Sequence, residues 1–225
     1  MHPVAVARAW DETASLRAIR LESADVARSH VAPGQYLRLR ADGREGAFAL
    51  ASAPGRPLEL LVKRGSPVGD ALAALAPGAA VEASEALGPG FPVDAARGRD
   101  LLLFAAGSGI TPIRALLHHV AGNGRELYGR IMLFWGHRRA DEFPYAEESR
   151  AWRASAIELI PVVSAPDEKW AGARGYVQDA LLALDDRPPM EQASAFLSGM
   201  KPMVASVTDA LVSLGLPRDR VHLNF

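Results

Sequence analysis

The sequence contains no cysteine. Disulfides, thiolate zinc sites, thiolate-held iron–sulfur clusters and cysteine nucleophiles are therefore excluded on these 225 residues. A charge imbalance is also missing: 25 Lys and Arg face 26 Asp and Glu, for a formal net charge of −1. No Lys/Arg block stands out, so no nucleic-acid partner is expected. Long apolar runs are absent too. Leu101–Ala106 is far too short to span a bilayer, and no membrane partner is expected. The Met1-His2-Pro3 start shows no basic segment followed by an apolar one, so a cytoplasmic location is the expectation. No metal site is expected either. His118 and His119 are adjacent, point about 100° apart on a helix, and cannot share an ion as an i, i+4 pair would. Glu147-Glu148 and Asp185-Asp186 read as solvated faces.

What is present is an apolar content of 49%, enough for a substantial core. The two halves carry different rhythms. Up to about residue 95, short alternating runs predict half-buried antiparallel strands. "QYLRLRA" puts Tyr36, Arg38 and Arg40 on one face, and "LELLVKR" groups Leu58, Leu60 and Val62. "AAVEASEAL" reads similarly from Ala80. Turn signals such as Pro33-Gly34, Asp42-Gly43 and Gly88-Pro89-Gly90 separate them, with one helical stretch at Asp70–Leu75. So many short strands predict a small barrel.

From Asp100 the pattern alternates strand and helix. Strands are expected at Leu101–Ala106, Ile131–Gly136, Ile157–Ser164, Ala195–Ser198 and Val221–Asn224. Helices are expected at Thr111–Ala121, Tyr145–Ala154, Tyr176–Leu184 and Pro202–Leu214. The fold class is then an N-terminal antiparallel β-barrel plus a C-terminal doubly wound α/β domain with a five-stranded parallel sheet. The Pro- and Gly-rich Phe91–Arg99 marks the boundary, dividing the chain into 1–97 and 98–225.

"LLLFAAGSGITPIRALLHHV" places Gly107 and Gly109 in a tight turn between strand and helix. Two glycines permit positive φ and close approach of a ligand. Thr111 reads as the N-cap and Pro112 as the first helical residue. The free N–H groups of such a helix start suit a phosphate. A plain strand–helix turn is equally compatible with this stretch alone, because the third glycine of the usual dinucleotide fingerprint is missing. "FLSGMKPM" supplies a second turn, Ser198-Gly199, after the fourth strand. At the switch point of a doubly wound sheet it should meet the first. A hydrolase nucleophile at Ser108 is disfavoured, since Ala106 and Ile110 stand where the glycines of G-x-S-x-G belong.

In this order, the motifs resemble the ferredoxin–NADP reductase superfamily over nearly the whole chain. They match best a branch that includes a plant fruit protein. "AAGSGITPI" resembles the family's pyrophosphate loop, "LFWGHR" its following strand, and "PVVSAPDEKWAGARGYVQDAL" the next strand, its Ser and its W-x-G-x-x-G-Y-V segment. "FLSGMKPM" occupies the family's Cys-Gly-Pro loop, and "VHLNF" resembles its aromatic terminus. The resemblance implies a flavin-dependent NAD(P)H oxidoreductase that moves hydride between nicotinamide and FAD. Electrons would then pass to an acceptor, expected to be separate from this chain. The same fold without flavin turnover, binding a nucleotide or a protein, is the alternative.

The implied catalytic positions are Ser198, in place of the family's cysteine, and Phe225, expected over the flavin ring. The implied dinucleotide contacts are Gly107, Ser108, Gly109, Ile110, Thr111, Pro112, Gly136, Arg138, Ser164, Gly199 and Met200. On the flavin side they are Phe48, Ala49, Leu50, Ser52, Val62, Lys63, Val68, Gly69, Asp70 and Ala71. The family's flavin motif, Arg-x-Tyr-Ser, is altered here: Gly46 stands for the arginine, Phe48 for the tyrosine and Ala49 for the serine. Loss of the arginine removes a charge-assisted clamp on the diphosphate, unless Lys63, Arg64 or Arg44 replaces it. Ala165, Asp167 and Glu168 after Ser164 disfavour a 2′-phosphate, and NADH is the favoured nicotinamide.

Overall fold

The computed structural model describes residues 1–224. Phe225, the expected flavin cover, lies outside the described residues.

The first sheet is antiparallel and built from β1 (His2–Asp11), β2 (Leu16–Glu22), β3 (Tyr36–Ala41), β4 (Arg44–Ala49), β5 (Leu58–Lys63) and β6 (Ala80–Ala83). Its order is β4-β3-β6-β1-β2-β5, and a bridge between Leu50 and Leu60 brings the two edges together into a near-closed barrel. Alternation works on β3 as the sequence predicts: Leu37 and Leu39 are buried, Arg38 and Arg40 exposed. It fails on β5, where Glu59 and Leu61 are buried along with Leu58, Leu60 and Val62. One face of that strand fills the barrel, while Leu61 packs with Leu16, Ala18, Leu103, Ile113 and Leu117 in a cluster shared with the second sheet. Two short helices lie on the barrel, α1 (Ala24–Ser29) and α2 (Pro67–Ala73). The second begins three residues before the expected Asp70, because Ser66 accepts the Gly69 N–H as a cap and Pro67 fits the first turn.

The second sheet is parallel. It comprises β7 (Asp100–Ala106), β8 (Ile131–His137), β9 (Ile157–Val163), β10 (Ala173–Arg174), β11 (Ala193–Ser198) and β12 (Val221–Leu223) in the order β10-β9-β8-β7-β11-β12. The five expected strands are all there, with the two-residue β10 added at one edge. Helices α3 (Ile110–Gly122), α4 (Ala146–Ala154), α5 (Val177–Leu182) and α6 (Lys201–Ser213) follow the predicted alternation. Separate apolar clusters cover the two faces of the sheet, which explains the near-continuous hydrophobic runs of β7 and β8. Among the described residues, no helix is long and apolar enough to cross a membrane.

Candidate active site at the switch point

The strand order reverses between β7 and β11, which pair in parallel with Ala105 opposite Ser198. Both strands end in glycine turns, so the register alone brings those turns together. A β-carbon on Gly109 would lie 2.4 Å from the Ser198 carbonyl oxygen and 3.2 Å from the Gly199 Cα. Only a residue without a side chain permits that approach. Gly107 takes φ +55°, and the space where its β-carbon would project is open. The crevice floor is therefore bare backbone.

Gly107–Gly109 forms a single 3-10 turn running directly into α3. This corrects the expected cap. Gly109 occupies that position, and Thr111 is the second helical residue, its hydroxyl donating back to the Ser108 carbonyl at 2.6 Å. Pro112 is third rather than first, still within the turn whose N–H groups lack helical partners. The tight 3-10 turn moves the cap and the first helical residue two positions upstream. Ile110, Thr111 and Pro112 are buried and brace the turn, leaving Gly107, Ser108 and Gly109 to face the crevice. No side chain caps α3, and none caps α6 behind Met200. Two uncapped helix starts thus meet at one point, with their positive ends toward the same space.

Ser198 is buried and Met200 is exposed beside it. Gly136 ends the accessible part of β8, where a β-carbon would meet Val177 at 3.1 Å. Further out, the loops after β8 and β9 are joined: the Ser164 N–H donates to the His137 carbonyl, and Ala165 N–H to that of Arg138. Arg139 is committed to Asp141 at 2.8 Å, whereas Arg138 is exposed and makes no ion pair among the described residues. Burial pushes the His137 imidazole down to about 4; Glu142 opposes this, and the charge of Lys63 adds to it.

The barrel approaches this crevice through β5, which lies against the Gly107–Gly109 turn. Of the barrel candidates, Leu50, Ser52, Val62 and Gly69 have buried side chains or Cα atoms. Leu50 and Val62 belong to the barrel core, and Ser52 Oγ accepts the Glu59 N–H at 3.1 Å. Leu50, Val62 and Gly69 therefore offer a ligand only backbone, while the Ser52 hydroxyl keeps its own hydrogen free to donate. Phe48, Ala49, Lys63, Val68, Asp70 and Ala71 retain exposure. The N–H groups expected to open at Val68–Ala71 are partly spent, since Gly69 donates to Ser66 Oγ and Asp70 to the Ser66 carbonyl. A cleft of about 550 Å³ beside α2 is lined by Asp42, Arg44, Asp70 and Ala71.

Of the three cations expected to restore the charge that Gly46 lacks, two are already engaged. Arg64 donates to Asp11 and to the Ala14 carbonyl. Arg44 pairs with Asp42 at 2.9 Å in a cleft that also contains Asp70. Lys63 makes no ion pair among the described residues and remains the available cation. A β-carbon at Gly46 would lie 3.0 Å from Phe48 Cε2 and 3.1 Å from Val68 Cγ1, so the phenyl ring leans over the missing side chain.

The sequence reading missed a buried ionic cluster behind the crevice. Arg114, only 5% exposed, donates to Glu59, to Glu148 and to the Ala51 carbonyl. Glu148 was expected on a solvated face. Instead it is held by Arg114 and by His118 at 3.0 Å. Burial raises its pKa, but these hydrogen bonds outweigh that and bring it down to about 2. An arginine midway along an apolar helix stripe, "TPIRALL", was the available signal.

Comparison with known proteins agrees with this geometry. Residues 103–209 match the oxidoreductase NAD-binding domain family. The chain is 28% identical to fruit protein pKIWI502 of Actinidia deliciosa, across 88% of this chain and 68% of that one. It is 29% identical to the sulfhydrogenase 1 gamma subunit of Pyrococcus furiosus, across 99% and 78%. Among solved structures, a ferredoxin NADP+ reductase from Neisseria gonorrhoeae with bound FAD and NADP superposes with a TM-score of 0.82 at 19% identity, over 100% of this chain and 98% of that one. Its near-closed barrel and parallel sheet with switch-point glycine turns give the chain the two-domain fold of the ferredoxin–NADP reductase-like structures, and its relatives are similar to it over both domains.

Proposed function

We propose that the protein is a flavin-dependent NAD(P)H oxidoreductase, with the nicotinamide dinucleotide in the crevice between β7 and β11 and FAD along β4 and β5. The observation that carries this reading is the meeting of two uncapped helix starts over the Gly109–Ser198 contact, at a sheet edge covered by the barrel. A pyrophosphate there faces backbone N–H groups and open space in front of Gly107. The residues fit this group well. They fit FAD with one charge fewer than the family motif, leaving backbone at 49–51, the Phe48 ring and Lys63 to hold it.

The two cofactors supply the hydride chemistry; the chain's task is to bind and orient them. Ser198 puts a small polar group beside the nicotinamide position. Gly107 and Gly109 admit the pyrophosphate. Asp167 and Glu168, on the loop joined to Arg138, oppose a 2′-phosphate and favour NADH. The division at 97/98 would separate the flavin unit from the dinucleotide unit. With no cysteine on these residues, electrons would leave to a separate acceptor.

Titrating the purified protein with FAD and then NADH tests the reading. Saturable uptake of FAD, with flavin absorption that is lost on adding NADH, supports it. Dinucleotide binding by calorimetry with no uptake of FAD would favour the non-catalytic alternative.

A further inference from the structure

Arg114 stands one helical turn past the glycine turn, yet its guanidinium reaches out of its own domain. Nη1 donates to the Ala51 carbonyl at 2.8 Å and to Glu59 at 3.1 Å, both on the barrel. Nε donates to Glu148 on α4 at 2.9 Å, and Nη2 to the same carboxylate. The Tyr145 ring lies 4.5 Å below the guanidinium carbon. Tyr145 takes a left-handed backbone, φ +57°, to sit there, and its N–H is fixed by Glu12 at 2.7 Å. The planar fork of an arginine makes this set of bonds, which a lysine point charge cannot.

Ala51 is not an arbitrary partner. It immediately follows the candidate flavin residues Phe48, Ala49 and Leu50, and its own N–H donates to the Glu59 carbonyl at 2.7 Å. Glu59 is further held by Arg20 at 3.3 Å. One side chain therefore joins the helix that begins at the dinucleotide turn to the strand segment proposed to carry the flavin. The adjoining cluster of Leu61, Leu16, Ile113 and Leu117 already supplies apolar adhesion between the two parts. A buried ion pair adds little net stability over apolar packing, but its directional bonds fix one arrangement.

We infer that Arg114 is a positioning residue that sets the separation of the two cofactor sites by tying the Ala51 carbonyl and Glu59 to α3 and α4. This rests on the proposed function for its kinetic consequence, and on the hydrogen bonds alone for its structural one.

The absence of native cysteine permits a direct test. Glu22→Cys on β2 and Arg150→Cys on α4, both at exposed positions, accept nitroxide labels without background. Double electron–electron resonance should show one narrow distance with Arg114 present. Arg114→Gln should broaden or shift it, and Arg114→Lys should do so partly. In the FAD-loaded protein, flavin reduction at saturating NADH should slow by about ten-fold or more with Arg114→Gln, while NADH affinity stays within about two-fold, as expected for misplacement rather than lost contact. Should Arg114→Gln not fold, Arg114→Lys and Glu148→Gln carry the same two readouts. A narrow, unshifted distance together with an unchanged rate overturns the inference, and so does a lowered melting temperature as the sole effect. If the protein takes up no flavin, the proposed function fails, and the distance measurement still decides the tether.

Discussion

The two sides of the crevice are built from different materials. On the proposed dinucleotide side the available surface is backbone: glycine turns, helix starts and the register of β7 against β11. On the proposed flavin side the motif the sequence resembles carries an arginine, and Gly46 stands there instead, with Phe48 leaning over it. A backbone site persists as long as the fold does. A site that depends on one side chain can be weakened by one substitution while its strand remains intact. On the proposed reading, the chain pairs a dinucleotide site built from backbone with a flavin site that lacks a cation at Gly46.

The largest effect that would break this comparison is expected at Gly109. Even Gly109→Ala puts a β-carbon 2.4 Å from backbone at Ser198, so the two turns must part. Overpacking of this kind costs roughly 1–3 kcal/mol or more, and both thermal stability and dinucleotide binding should fall sharply. Gly107→Ala is the contrasting variant. Its β-carbon meets nothing within 4 Å, although φ +55° is unfavourable for alanine by about 1 kcal/mol. The fold should survive while calorimetry shows weakened NADH binding. Equal affinity in folded Gly107→Ala and wild type would move the ligand elsewhere.

Next in size is the flavin side. The wild type should lose FAD on extended dialysis, and Gly46→Arg should tighten it. A hydrogen bond to a charged group contributes about 1.5–3 kcal/mol, so the dissociation constant should fall about ten-fold or more. Phe48 and Val68 must first yield a few tenths of an ångström. Stoichiometric FAD in the dialysed wild type would mean that Lys63 or the backbone already provides what the arginine gave.

A smaller effect separates the regions by pH. His30 lies on the barrel and His137 at the crevice, and burial lowers each to about 4 from an ordinary 6.5. Between those values the unfolded chain binds more protons than the folded one, so stability should fall as pH drops from about 6.5 toward 4. Glu148, held down to about 2, loses its contribution only as pH falls from the usual carboxylate range through that value. Denaturant melts of His30→Leu and His137→Phe should each show a shallower slope through the upper interval. An unchanged slope in both would show that neither imidazole is kept neutral by the fold. The smallest effect is expected for Ser198→Cys, which places at the proposed nicotinamide position the cysteine of the motif that the sequence resembles. Flavin reduction should quicken a few-fold with NADH affinity unchanged; a loss of affinity would place Ser198 in binding.

Much of the fold was legible because its signals are local. Alternation in β3, the unbroken apolar runs of β7 and β8, and Gly-Pro punctuation each report the element in which they sit. The meeting of Gly109 with Ser198 was also legible, since strand order and parallel register follow from the alternation of strands and helices. Glu59, Arg114 and Glu148 were not. Their sequence separations of 55 and 34 residues leave no local trace, and each alone resembles an ordinary surface charge. The double burial of β5 was hidden for the same reason, because Leu61 is covered by elements from the other half of the chain. The shifted cap at Gly109 reflects a 3-10 turn, which residue preferences near Thr111 and Pro112 do not distinguish from a plain helix start.

The central claim is that this crevice brings nicotinamide and flavin together for hydride transfer. Anaerobic rapid mixing of FAD-loaded protein with NADH, followed in the visible flavin band, tests it most directly. The account predicts a single-turnover loss of flavin absorbance whose rate saturates with NADH and whose affinity term weakens in Gly107→Ala. NADH that binds at the glycine turns while the bound flavin stays oxidised would contradict it.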